Sequence, residues 1–423
     1  MRDIAGKINS VADARYFARK RTPKSIFQLF DAGSGPSITA RLNEKAFEEV
    51  LFKPRSAVFK PQRDISTCVF GHDIDVPVIL SSVGALKAGH QDGELAATRA
   101  AGRNGTIQFV SGVTTTPIEE IVLQATGPVY QQIYYIGGRE ATAPMIERAR
   151  DAGAAGLVLI ADSAAPNVGA EIPYEKRANI PLAMTVKDAV TFLPQIWNRP
   201  GWVKDFIQRN GMQMPVAANT RGPDGQPMNF LDASARLYDE TPSFDDIPWI
   251  REIWDGPIII KGVVTVESAR KAVEHGVTGI VVSNHGGNML DGTVPSLRVL
   301  PEIVDAVGDE IDVIMDGGIR RGTDVVKALA MGAKAVSIGR AYVYGLLAAG
   351  EPGVLRIMDL LRTEIQSTLT WLGAASIDEL DASMLEIPAD WATLTVEELV
   401  QRRRSSQSSD NLDLTLPEHA VGV

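Results

Sequence analysis

The chain has 423 residues, 45% of them hydrophobic, which is ample for a large core in one or more domains. Its formal net charge of -10 argues against a nucleic-acid partner, because no basic field is present to hold phosphate backbones. A single cysteine, Cys68, excludes an internal disulfide, and five scattered histidines show no metal-ligand spacing, so no metal site is expected.

The N-terminus mixes Arg15, Arg19, Lys20 and Arg21 with polar residues and lacks the apolar core of a signal peptide. No run approaches the ~18 apolar residues needed to span a bilayer. A cytoplasmic protein without a membrane span is expected. The first 60 or so residues read as helical but irregular, with a break at Gly33-Ser34-Gly35-Pro36 and an extended exit at Lys53-Pro54-Arg55. Such a prelude is suited to cap the bottom of a barrel.

From there the chain repeats a short apolar strand, a Gly- or Ser-bearing turn and an amphipathic helix. Strands are expected over Val76–Ser82, Thr106–Gly112, Pro128–Tyr134, Gly156–Ser163, Pro257–Gly262, Gly279–Ser283, Ile311–Gly317 and Ala335–Gly339. Helices follow them, among them Glu94–Arg103, Glu140–Ala152, Glu267–His275 and Thr323–Met331. Eight such units favour a closed α/β barrel, the (β/α)8 TIM barrel, over an open sheet. The spacing is even except for the long Pro-, Asn- and Gly-rich stretch Ala164–Thr241, which reads as a lid or substrate loop beside the site. A helical region over Pro352–Leu372 precedes the polar tail Gln401–Val423, which is expected to be disordered. Residues 1–400 are thus expected to form one domain.

In this architecture chemistry sits on the loops after the strands, so polar residues at strand ends are informative. The apolar run Gly279-Ile280-Val281-Val282 delivers Ser283-Asn284-His285-Gly286-Gly287-Asn288 to that end. An imidazole can take a proton near neutral pH. Twin glycines allow a sharp turn and close approach to a flat ligand. Lys261 closes three isoleucines, a costly place for a cation unless it meets an anion or an electron-rich ring, or snorkels out of the barrel end. Strand seven runs into Asp316-Gly317-Gly318-Ile319-Arg320, and strand eight into Gly339-Arg340. Glycines beside arginines in these two turns suit phosphate, which barrels commonly bind there.

The ordered set PIIIKGV, SNHGGNMLD, DGGIRRGTDVVKALAMGA and SIGR resembles the FMN-dependent α-hydroxy-acid oxidases and dehydrogenases, from about residue 26 to residue 380. The resemblance implies FMN as cofactor, His285 as active-site base and Asp162 as the carboxylate that holds its imidazole. It implies that Lys261 lies at the flavin N1 and O2 edge and stabilises the reduced flavin. Gln132 and Ser283 resemble the residues bonding the isoalloxazine and ribityl regions, and Ser82 and Ser111 are counted with the cofactor contacts. Asp316, Gly317, Gly318, Arg320, Gly339 and Arg340 resemble the phosphate and ribityl cradle, and Tyr134 the substrate-side tyrosine. The family also implies a homo-oligomer of four or more chains, with O2 as one candidate electron acceptor.

Three departures bear on the substrate. Family members that oxidise hydroxy acids carry an arginine three residues after the histidine, where this chain has Asn288. A second arginine is missing from Asp162-Ser163-Ala164-Ala165-Pro166-Asn167-Val168-Gly169-Ala170-Glu171, and Leu29 takes the place of an N-terminal tyrosine. These losses resemble the pre-mycofactocin synthase branch, whose substrate is a peptide-derived cyclic amide rather than an acid, with Asn288 as a substrate contact. Alternatives are an atypical hydroxy-acid oxidase, a flavin-binding protein without turnover, and a colourless phosphosugar isomerase barrel.

Overall fold

Short runs of Val, Ile and Leu buried on both faces make the strands of a closed parallel barrel in this computed structural model. It describes residues 4–164, 193–210, 216–221, 226–229, 232–233, 236 and 241–391. The strands are β1 (Val78–Leu80), β2 (Gln108–Val110), β3 (Val129–Ile133), β4 (Gly156–Ile160), β5 (Ile258–Val263), β6 (Gly279–Val282), β7 (Asp312–Asp316) and β8 (Ala335–Ile338). Neighbours in the ring follow chain order, and β8 closes on β1 with Val336 opposite Val78 and Ile338 opposite Leu80. The (β/α)8 barrel is therefore present as read. Several strands stop a residue or more before the expected end, because the polar residues there leave the ladder to form the upper turns.

Ile258, Ile259 and Ile260 are 0 to 1% exposed, and such burial is worth about 1.5–3 kcal/mol per side chain. Among the described residues the longer helices are α1 (Val11–Arg21), α2 (Lys24–Asp31), α3 (Ile38–Glu49), α4 (Gly93–Arg103), α5 (Ile118–Gln124), α6 (Gly138–Asp151) and α7 (Pro200–Asn210). They continue with α8 (Ile247–Ile253), α9 (Val266–Glu274), α10 (Ser296–Val307), α11 (Gly322–Ala330), α12 (Arg340–Ala349) and α13 (Glu351–Leu372). Caps set several starts: Ser10 accepts from Asp13 N ahead of α1, and Thr265 accepts from Ser268 N ahead of α9.

The prelude does not cap the bottom. Asn43 of α3 exchanges amide hydrogen bonds with Asn284, both 2.8 Å, just past the carboxyl end of β6, so α3 covers the top. The bottom is closed by the antiparallel pair Thr67–Val69 and His72–Ile74. At its turn the buried Phe70 ring packs near Phe109 and Tyr130 and beside Gly279, where a Cβ would come within 2.5 Å of it. An apolar plug suits the closed end, and the amide of Asn43 finds its polar partners in the turns at the top.

Ordered pieces also lie between β4 and β5. Trp202 of α7 donates to Ala88 O at 3.0 Å, and Asp205 pairs with Arg21 of α1. The antiparallel pair Val216–Arg221 and Pro227–Asn229 is tied to the end of β2, with Thr220 Oγ1 donating to Gly112 O. The lid expected over 164–241 falls for the most part outside the described residues, as does the disordered tail expected at 401–423.

The chain falls into two units, Met1–Glu386, which holds the barrel, and Ile387–Val423, whose described part contains one 3-10 turn, Ala389–Trp391. Among the described residues no helix is long and apolar enough to cross a membrane.

Candidate active site

At the top of β6 the chain turns through three successive left-handed residues, His285 (φ 57°), Gly286 (62°) and Gly287 (80°). For a histidine this conformation costs on the order of 1–2 kcal/mol, so the surroundings must hold it. They do: His285 N donates to Ser283 Oγ at 3.0 Å, Asn288 N to His285 O at 3.2 Å, and Ser34 N to Gly287 O at 2.8 Å. A Cβ on Gly287 would come within 2.6 Å of Ala40 N, so only glycine lets α3 pack directly on the turn.

The strained backbone aims the imidazole. His285 Nδ1 lies 3.0 Å from Asp162 Oδ1 and 3.2 Å from Oδ2, while Nε2 lies 3.4 Å from the Tyr134 hydroxyl. Burial pushes the Asp162 carboxyl up, but the His285 charge and hydrogen bond and the charge of Lys261 outweigh it and hold it below the ordinary range. An anion thus faces Nδ1, which fixes the tautomer with its proton on Nδ1 and frees Nε2 to accept. Gly262 makes room: it has φ 105°, and a Cβ there would lie 2.6 Å from Asp162 Cβ and Cγ.

Lys261 points inward, 4% exposed, and its Nζ donates to Ser283 Oγ at 2.8 Å and pairs with Asp316 Oδ2 at 3.0 Å. It does not snorkel. The bulge between Lys261 and Val263 in the β5–β6 pairing marks the same irregularity at this end of the strand. Asp316, the partner of this cation, keeps a buried Oδ1 without a hydrogen bond, and so do Gln132, behind Ser82, at Nε2 and Ser337, on the cavity wall, at Oγ. Unpaired buried groups are costly, and a polar ligand would relieve them.

Across the mouth, the Arg340 guanidinium donates to Gly286 O at 2.8 Å, Ala32 O at 3.0 Å and Asn288 Oδ1 at 3.1 Å, leaving its Nε without a partner. Burial pushes Arg340 below the ordinary arginine range, and the nearby charge of Arg320 adds to the effect. A guanidinium disfavoured by burial and by a second cation nearby favours an anion beside it. Arg320 is otherwise paired with Glu44 at 2.9 Å. The start of α11 is already capped, since Asp324 Oδ2 accepts from Arg320 N and Arg321 N, and Glu364 from Gly322 N. The start of α12 at Arg340 has no such side-chain cap and leaves its first N–H groups for a ligand.

These groups surround one cavity of about 300 Å³. Of the residues expected at the site, Ser82, Ser111, Tyr134, Lys261, His285, Asn288, Asp316, Gly317, Gly318, Arg320, Gly339 and Arg340 line it. The other three stand one hydrogen bond behind: Asp162 on His285, Ser283 on Lys261, and Gln132 on Ser82. Residues 18–387 match the family of FMN-dependent dehydrogenases. The chain belongs to this family.

Among relatives of this FMN-dependent dehydrogenase is the pre-mycofactocin synthase of Mycolicibacterium smegmatis, 41% identical over 382 residues, which span 90% of this chain and 94% of that one. A peroxisomal (S)-2-hydroxyacid oxidase of Arabidopsis thaliana is 36% identical over 374 residues, 88% of this chain and 95% of the relative. Among solved structures, the monotopic membrane protein (S)-mandelate dehydrogenase superposes with a TM-score of 0.81 at 30% identity, covering 90% of this chain and all of that one. A mandelate oxidase with one arginine replaced by leucine, solved with 2-hydroxy-phenylacetamide, gives a TM-score of 0.70 at 28% identity, covering 90% and 98%.

The site of this FMN-dependent dehydrogenase fits its cofactor. The unpaired atoms of Asp316, Gln132 and Ser337 would meet polar atoms of a flavin, and the Arg320 and Arg340 end would take its phosphate. A Cβ on Gly339 would touch only Val83, at 3.9 Å, so the space beside this glycine is open on the cavity side. The strand-end reading missed Phe30, Val113, Met289 and Ser337, which also line the cavity. Ser337, a lone hydroxyl inside the buried run of β8, carried a legible signal; Phe30 carried none, because its place at the mouth depends on how α2 docks.

Proposed function

We propose that this FMN-dependent oxidoreductase acts in mycofactocin biosynthesis. Its substrate would be the Val-Tyr-derived cyclic amide 3-amino-5-[(4-hydroxyphenyl)methyl]-4,4-dimethyl-2-pyrrolidinone, deaminated oxidatively to the α-keto amide. The observation that carries the reading is Asn288, a neutral amide on the cavity wall with His285, at the position where the family resemblance implies an arginine in members that oxidise hydroxy acids. A neutral amide can pair with a lactam but does not replace an arginine–carboxylate fork. The 41% identity to pre-mycofactocin synthase supports it, and so does the arginine-to-leucine mandelate oxidase solved with an amide, 2-hydroxy-phenylacetamide.

In this reading His285 Nε2 takes a proton from the substrate amine, Asp162 stabilises the resulting imidazolium across Nδ1, and Tyr134 orients the group being oxidised. The residues around Lys261, Arg320 and Arg340 would hold FMN, whose chemistry there would be to take up the hydride from the adjacent carbon. The imine so formed adds water and releases ammonia. The test is anaerobic bleaching of the flavin: the aminated lactam should bleach it rapidly, while lactate, glycolate and mandelate should not. Fast bleaching by a simple hydroxy acid and none by the lactam would overturn the proposal in favour of a hydroxy-acid oxidase with an unusual grip.

A further inference from the structure

We infer that Asp31 is a positioning residue for the cofactor's phosphate: the bond it accepts from Tyr344 sets the first turn of α12 against the end of α2 and so aims Arg340. The inference rests on the placement of the phosphate at the Arg320 and Arg340 end and says what holds that end in shape. Two adjacent residues grip α12 at two points. Asp31, the last residue of α2, accepts from the Tyr344 hydroxyl on Oδ1 at 2.7 Å, and Ala32, its C-cap, accepts from Arg340 Nη2 on its carbonyl at 3.0 Å. Arg340 and Tyr344 are four residues apart on one helix and so share a face. Phe30, the residue before Asp31, lines the cavity, so the same grip fixes part of the wall.

The grip is buried and its charge is met. Tyr344 is 2% exposed, and its ring stacks on Phe27 of α2 with centroids 6.2 Å apart. Burial and the charge of Asp31 push its phenol up to about 12, so it stays protonated and donates. Arg15 of α1 forks onto the Asp31 carboxylate, Nε to Oδ1 at 2.6 Å and Nη2 to Oδ2 at 2.7 Å. Burial pushes the Asp31 carboxyl up, but the bonds from Arg15 and Tyr344 and the charges of Arg15 and Arg340 outweigh it and hold it below the ordinary range. A carboxylate within electrostatic reach of Arg340 competes with a phosphate for that cation unless its charge is balanced elsewhere, and the Arg15 fork balances it. At the other end of the cavity Lys261 is bonded to Ser283 and Asp316. The network of Asp31 therefore bears on the phosphate rather than on the flavin ring.

The experiment takes the full chain, freed of flavin, and titrates it with FMN and with riboflavin, reading the quenching of flavin fluorescence. The ratio of the two affinities isolates the phosphate. Tyr344→Phe keeps the ring on Phe27 and removes only the hydroxyl. It should lower the FMN-to-riboflavin ratio several-fold, with riboflavin affinity and melting temperature close to wild type. Arg15→Gln, at a side chain 56% exposed, should lower the ratio as well, and more at low salt than at high salt, because screening weakens the repulsion from a bare Asp31. An unchanged ratio in Tyr344→Phe, or both flavins weakened alike, overturns the inference and makes the bond a tie between helices. Should Tyr344→Phe fold poorly, Arg15→Gln decides: an unchanged ratio, or one that falls equally at both salt concentrations, overturns it. Equal affinity of the wild type for FMN and riboflavin overturns the phosphate placement and this inference with it.

Discussion

His285 Nδ1 and Asp162 Oδ1 lie 3.0 Å apart although the residues are separated by 123 positions, one at the top of β6 and the other at the top of β4. The other imidazole nitrogen faces the Tyr134 hydroxyl and the cavity. Asp162→Asn should keep a contact to Nδ1 but remove the charge that stabilises an imidazolium. We expect FMN content to stay, and flavin reduction in anaerobic stopped flow to slow by about 10² or more, with His285→Ala slower still within the 10²- to 10⁴-fold range of a lost general base. Wild-type reduction rates in either variant would remove these residues from the proton path.

Lys261 and Asp316 form a buried ion pair, 4% and 8% exposed. Lys261→Met leaves the carboxylate buried and uncompensated, which typically costs about 3–5 kcal/mol. The apoprotein should melt markedly earlier, and Asp316→Asn added to Lys261→Met should recover part of the loss. An additive double variant would mean that the two side chains do not act as a pair.

The open space beside Gly339 makes cofactor affinity separable from folding. Its φ of -104° lies outside the left-handed region, and a methyl group there would meet only Val83. Gly339→Ala should shift the apoprotein's melting temperature little and weaken FMN retention strongly, as read by the flavin absorbance that stays with protein after gel filtration. A large loss of apoprotein stability with unchanged FMN binding would count against a cofactor cradle there.

Asp291 links the loop that follows His285 to α3 and makes that link sensitive to acid. Its carboxylate accepts from Ile38 N at 3.0 Å and Thr39 N at 2.7 Å, capping a helix whose own preceding Ser37 makes no side-chain cap. Burial raises its pKa, but the bonds from Thr39 and Ile38 outweigh this and hold the carboxyl below the ordinary range. Because the folded value is depressed, the stabilisation is present above the unfolded carboxyl pKa of about 3.9 and disappears as pH falls through the folded one. Asp291→Asn should cost roughly 1 kcal/mol at pH 7. The difference in melting temperature from wild type should shrink below about pH 4; a difference that stays constant with pH would show that charge plays no part in the cap.

The pattern of residues along the chain was enough to place eight buried strands and the helices after them, because a both-faces-buried strand and an amphipathic helix each leave a local period of apolar positions. It also marked His285, Lys261, Asp316 and Arg340, since polar side chains at the carboxyl end of an apolar run converge once the strands close into a barrel. The local pattern did not tell which end of the barrel α1 to α3 would cover. Apolar periodicity says which face of an element is buried but not against what, and the choice fell to the amide pair Asn43–Asn284 and the Asp291 cap at the top, with Phe70 filling the bottom. Nor did it show that Arg340 would reach Asn288 and the carbonyls of Gly286 and Ala32. Those contacts, like Gly262 yielding its side-chain space to Asp162, exist only because ring closure brings separate turns within hydrogen-bonding distance, and no local preference of either partner encodes them.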